Sequence, residues 1–199
     1  MNTKKDNILQ DLRLSDKRME HTLGVVKAAV MLAKRHFPEI TPEDAEVAAL
    51  MHDFTKEYPV EKHLEICKTY GVEVTEEEIA SPKLLHAKSG AALAKAVYGL
   101  KPEIVSAVRW HTTGKSGMSP LEAVLYFADY IEENRTFPGC VRLRNYYEKE
   151  YGKRKDKQKA LFLALERSFD LTIRDLLAEK KPIDAKTIEA RNYYLKLTK

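Results

Sequence analysis

Helix signals recur along the whole 199-residue chain while strand signals hardly appear, and this one-sidedness restricts the fold more than anything else in the sequence. From Met19 to Phe37 the apolar residues Leu23, Val26, Val30 and Ala33 return at a helical period, and Pro38 stops the run. Thr41-Pro42-Glu43-Asp44 reads as a helix start. Threonine can cap the first N–H groups, proline has no N–H to leave unpaired, and the acids meet the positive end of the helix dipole. That helix should continue through Ala45, Ala48 and Ala49 to His52. Ser81-Pro82 marks a short turn, and Ala91 to Tyr98 is predicted helical with Gly99 closing it. Pro102 opens a helix carrying Ile104, Val105 and Val108 that ends near residues 112–114. Ser119-Pro120-Leu121-Glu122 is a capping box, which launches Leu121, Val124, Leu125 and Ala128. Two further helices are expected at about 156–179 and 186–197, with the charge-dense Glu148–Lys159 stretch, which contains Gly152, as a solvated connector. The expectation is an all-α helical bundle, one domain over residues 1–199, with the helices of about 156–199 packing on the preceding core.

Composition excludes several function classes. Basic residues number 34 against 30 acidic ones, so the net charge of +4 is too mild for a nucleic-acid binder, and aromatic residues do not alternate with basic ones. A local cationic site for a phosphate ligand remains open. No segment approaches the ~18 consecutive apolar residues of a membrane span, and the N-terminus lacks the apolar region of a signal peptide. Cys67 and Cys140 stand apart with no CxxC, which suits a reducing compartment, so a cytoplasmic location is expected.

The informative residues are polar ones on apolar faces. His52 follows Ala45, Ala48 and Ala49 along one helix face, with Asp53 next to it. Asp129 lies four residues after Leu125 and eight after Leu121; His111 lies three after Val108 and seven after Ile104; His21 shares a face with Val25, Ala28 and Leu32. A lone histidine on such a face is more often a satisfied core residue. Several His and Asp residues on inward faces of separate helices call for a joint explanation, because a buried carboxylate is costly unless a cation or strong donors meet it. Imidazole nitrogen and carboxylate oxygen together suit Fe, Mn, Zn or Ni, and helix bundles build metal sites from inward side chains. His36 and His63 read as surface residues, and Gly114 and Gly117 as turn residues.

His21, then His52-Asp53, then Asp129 resembles the signature of the HD-domain metal-dependent phosphohydrolases. RMEHTLGVVKAAVMLAKR, AALMHDFTKEYP, LLHAKSGAALAKAVYG, VRWHTTGKSGMSPLEAVLYFADYIEENRTFPG and KTIEARN together are similar to the bacterial YqeK-type group, from about Arg18 to Asn192. The resemblance implies an HD fold and an iron-containing, symmetrical dinucleoside tetraphosphate hydrolase that cuts diadenosine tetraphosphate into two ADP. By motif position it makes His21, His52, Asp53 and Asp129 the metal ligands, for one or two ions, iron first and manganese or another divalent metal next. It makes Arg18, Lys56, His86, His111, Thr112 and Arg135 nucleotide contacts, alongside the ligands His21, Asp53 and Asp129, with Thr187 and Arg191 closing over the nucleotide. Asp53, His86 and His111 are the candidate catalytic groups, His86 and His111 either holding a second metal or protonating the leaving phosphate. The expected partner is a dinucleoside polyphosphate or purine nucleotide, with no nucleic acid and no membrane; a homodimer rests on the resemblance alone.

Within HD enzymes, guanosine tetraphosphate hydrolases are less similar, because Phe-Thr-Lys and not a Glu-Asp pair follows His52-Asp53, and the GYP word of cyclic-dinucleotide phosphodiesterases is absent. A mononucleotide phosphohydrolase is the nearest competitor. A non-catalytic nucleotide-binding regulator is the next.

Overall fold

The computed structural model describes residues 3–199, and all regular structure among them is helical. In chain order the helices are α1 Lys4–Asp11, α2 Asp16–His36, α3 Pro42–His52, α4 Val60–Thr69, α5 Glu76–Ala80, α6 Pro82–Ala96, α7 Pro102–Trp110, α8 Pro120–Ile131, α9 Pro138–Lys153, α10 Lys157–Ala178 and α11 Ala185–Thr198. Among the described residues no helix is long and apolar enough to cross a membrane.

Two helices have no solvent face, and the others wrap them. α8 buries Leu121 through Ala128 without a break, and Ile131 as well. α3 buries nearly all of its length on small alanines and on Val47, Leu50 and Met51. A helix apolar all round belongs in the interior. Accordingly α8 touches α2, α3, α7, α9 and α10, and α3 touches α2, α6 and α7 as well. Phe169 of α10 stacks on Tyr126 of α8 with ring centroids 4.6 Å apart, and Tyr194 of α11 stacks on Phe169 at 5.9 Å. The two C-terminal helices therefore share the core of α8.

The expected starts at Thr41 and Ser119 are present, the first with its side chain accepting from Asp44 N and the second as a complete capping box with Glu122. Gly114 and Gly117 turn with φ of +63° and +64°, and a Cβ on Gly114 would stand 2.6 Å from the Phe169 ring. Other expectations need correcting. α6 begins at Pro82 and not near Ala91, so His86 sits inside a helix. The Glu148–Lys159 connector is mostly helix: α9 runs to Lys153 and α10 starts at Lys157 under an Asp156 cap. The inward stripe of α9 is thin, namely Cys140, Leu143, Tyr147 and a buried Glu150 held by Lys153 and Arg154. His36 and His63 are not surface residues. His63 is buried and bonds Ser89 Oγ at 2.8 Å, while half-buried His36 bonds the Tyr147 hydroxyl at 2.8 Å.

Candidate metal centre

The site is assembled from helix ends. α3 stops at His52 with Asp53 as its cap, α7 stops before His111, and Asp129 lies in the last turn of α8. Three helix C-termini thus face one region, and their carbonyl dipoles favour a cation there. α2 adds Arg18 and His21 from its first two turns, and α6 adds His86.

Asp53 is the centre of the cluster. Its Oδ2 is 2.8 Å from an Arg18 guanidinium nitrogen, 3.4 Å from His52 Nε2 and 3.8 Å from His21 Nε2. Its Oδ1 is 3.2 Å from His86 Nε2, 3.4 Å from Lys56 Nζ and 3.8 Å from His111 Nε2. Asp129 Oδ1 lies 2.9 Å from His21 Nε2 and 3.9 Å from His52 Nε2, and accepts from Arg135 at 2.6 Å. Two triads have the proximity to hold an ion, His21-His52-Asp53 and Asp53-His86-His111, with Asp53 common to both.

The far nitrogens of the rings are tied off. His52 Nδ1–H donates to Ala49 O at 2.6 Å, His111 Nδ1–H to Val108 O at 2.7 Å, and His21 Nδ1–H to a Glu132 carboxylate oxygen at 3.1 Å. Those partners accept only, so the proton belongs on Nδ1 and the Nε2 lone pair is aimed at the cluster. His21 Nε2, His52 Nε2 and Asp53 Oδ1 are buried without a hydrogen-bond partner among the described residues. Buried acceptors with no donor are expensive unless a cation satisfies them. The donor set and its orphaned atoms fit a divalent metal.

Electrostatics agree. Burial pushes the Asp53 carboxyl up, but His52, His111 and His86 together outweigh it and hold it well below the usual range. Burial acts the same way on Asp129, and Arg135 and His21 hold it down. Burial would lower His52, yet Asp53 and Asp129 raise it. At His86 burial wins and pushes the ring down to about 3; His111 is also lowered, chiefly by burial. Both are neutral rings near pH 7. Their Nε2 atoms nevertheless face each other at 2.9 Å, while Lys56 donates to His86 Nε2 at 3.2 Å.

A cavity of about 630 Å³ opens beside the cluster, and His111, Thr112, Asp129, Lys56 and Arg135 are among the residues that line it. Thr112 Oγ1 and Arg135 Nε are buried with no partner, so both remain able to donate. Thr187 lines the cavity and is buried, its hydroxyl donating to Thr113 O at 3.0 Å. Arg191 is not brought in: it pairs with Asp170 at 2.8 Å on the α10–α11 surface.

Two residues of this site have no counterpart in the sequence expectations. Glu132, buried, orients His21 and accepts from Asn134 N at 2.7 Å. Gly24 makes room for it, since a Cβ there would stand 2.2 Å from Glu132 Oε2. A glycine three residues after His21 in the middle of an apolar helix was the available signal.

Comparison with known proteins agrees with this geometry. Residues 18–134 match the HD domain family. The chain is 38% identical over 139 residues to a symmetrical bis(5'-nucleosyl)-tetraphosphatase of Bacillus subtilis (strain 168), covering 66% of this chain and 70% of the relative. It is 30% identical over 196 residues to the protein of the same name from Staphylococcus aureus (strain NCTC 8325 / PS 47), covering 98% and 95%. A crystal structure of a predicted HD superfamily hydrolase involved in NAD metabolism from Clostridium acetobutylicum superposes with a TM-score of 0.84 at 39% identity, over 96% of this chain and 97% of that one. The chain belongs to the HD-domain family, and the relatives that match it most fully include proteins named symmetrical bis(5'-nucleosyl)-tetraphosphatases.

Proposed function

We propose that this protein is a divalent-metal-dependent hydrolase that cuts dinucleoside tetraphosphates at the central phosphoanhydride bond, giving two nucleoside diphosphates and, from diadenosine tetraphosphate, two ADP. The observation that carries the proposal is the mutually oriented set of buried His21, His52 and Asp53 with Asp129, which itself lines a cavity that the cations Lys56 and Arg135 also line. The same activity is in the names of the relatives.

In this reading His21, His52, Asp53 and Asp129 hold the metal, with iron as the native ion on the family resemblance. A bound divalent cation polarises a phosphoryl oxygen and acidifies water, which is the chemistry a stable phosphoanhydride needs. The chain's own groups supply the rest. Arg18, Lys56 and Arg135, each paired with Asp53 or Asp129, are positioned to share their charge with the phosphate chain. Thr112 offers a hydroxyl and Thr187 closes one wall of the cavity. His86 and His111 are neutral acceptors turned toward each other over Asp53, which favours a second ion there over a proton donor to the leaving phosphate. Residues 1–199 act as one domain, supported by the packing of α10 on α2, α8 and α9.

The test is elemental analysis of the purified protein together with a nucleotide panel. Turnover confined to dinucleoside polyphosphates supports the proposal. Faster hydrolysis of mononucleotides makes the protein a mononucleotide phosphohydrolase, and binding without turnover under added iron or manganese makes it a regulator.

A further inference from the structure

Phe137 has its side chain in solvent at the mouth of the catalytic cavity. It is 68% exposed, more than any other large hydrophobic residue described, and it lines the same cavity as Asp129 and Arg135. A scattered surface phenylalanine needs no explanation. This one sits on a braced turn. Arg144 donates to Ile131 O at 2.7 Å, to Glu132 O, and to Arg135 O at 3.1 Å, which pins the segment between α8 and α9. Pro138 follows directly and keeps Phe137 extended, with φ −57° and ψ 132°. Gly139 lets Leu171 of α10 approach, since a Cβ there would stand 3.1 Å from it. The ring is held out in solvent on this braced backbone.

We propose that Phe137 is the stacking platform for the base of the outer nucleoside, the half of the substrate that departs with the second diphosphate. The inference rests on the two-nucleoside substrate proposed above. The bond to be cut lies midway along the substrate, so when the central phosphates reach Asp53 and Asp129 one nucleoside lies within the cavity and the other extends past its mouth. Exposed Lys83, Arg142 and Lys181 line that mouth and suit phosphates. Phe137 supplies a flat apolar face, which any purine can stack on.

The experiment compares wild type, Phe137→Ala and Phe137→Trp, full-length and metal-loaded, with two ligands. Diadenosine tetraphosphate carries both bases; adenosine 5'-tetraphosphate carries the same phosphate chain with one. Phe137→Ala should raise KM for diadenosine tetraphosphate by about 5- to 150-fold, the range for losing one stacked base. The inhibition constant of adenosine 5'-tetraphosphate should stay at the wild-type value, and Phe137→Trp should restore KM. Equal losses with both ligands, or an unchanged KM for diadenosine tetraphosphate, overturn the assignment. Absence of wild-type turnover on diadenosine tetraphosphate is a separate result: it removes the hydrolase reading and this inference with it.

Discussion

Replacing Gly24 by alanine tests whether the orientation of one imidazole is built into the fold. The new methyl would stand 2.2 Å from Glu132 Oε2, 3.1 Å from its Cδ and 3.0 Å from Asn134 Nδ2. Glu132 must then retreat to at least the 3.4 Å of an ordinary contact. It is buried and already holds His21 Nδ1 at 3.1 Å and Asn134 N at 2.7 Å, so it cannot retreat without giving up at least one of them. Losing such an outer-shell partner typically costs about 10- to 100-fold in metal affinity. The helix itself favours alanine by up to about 1 kcal/mol, but a buried carboxylate that loses a hydrogen bond costs about 1–3 kcal/mol. Metal affinity and the stability of the metal-free fold are therefore both expected to fall. Competition against a chromophoric chelator measures the first, and thermal unfolding with the metal stripped measures the second. Glu132→Gln should weaken metal binding in the same direction without the steric change. Wild-type metal affinity in Gly24→Ala would refute the role given to Glu132.

Asp53→Ala should lose the metal and nearly all activity while keeping its helical circular dichroism; full metal occupancy in that variant would remove Asp53 from the ligand set. Chelation should lower the melting temperature, since a ligand present at 100 times its Kd stabilises the folded state by about 2.7 kcal/mol, and an unchanged melting temperature after verified metal removal would contradict the site. His36 gives a pH prediction. Burial, then the neighbouring Arg35, lower its folded pKa to about 4 from an unfolded value of 6.5, so the ring stays neutral in the fold while the unfolded chain takes up a proton. Its contribution to stability is present above pH 6.5 and is lost as pH falls toward 4. His36→Gln should flatten the stability–pH slope in that window by up to about one proton, and an identical slope in the variant would refute the assignment.

Much of the site was legible because a polar residue on an apolar stripe is visible without coordinates. His21, His52, His111 and Asp129 each stand at a core position of an amphipathic run, and the structure brings all four around Asp53 or within reach of it. The helix starts at Thr41 and Ser119 were legible because capping is local chemistry. What was not legible depends on partners distant in sequence. Glu132 directly follows the end of α8 and looks like a solvated helix terminus; its partner His21 is 111 positions away. His63 is flanked by Lys62 and Leu64, and its partner in the interior, the Ser89 hydroxyl from α6, is 26 positions away. α9 hid because charge surrounds its few inward residues, and Arg191 was expected at the nucleotide although Asp170 holds it elsewhere.

The central claim is a cut at the middle bond by a metal held on Asp53 and its histidines. Chromatography of the products from diadenosine tetraphosphate, with the protein loaded with iron, tests it most directly. The account predicts ADP as the sole nucleotide product; ATP and AMP in equal amounts would mean that an outer bond is cut and would contradict it.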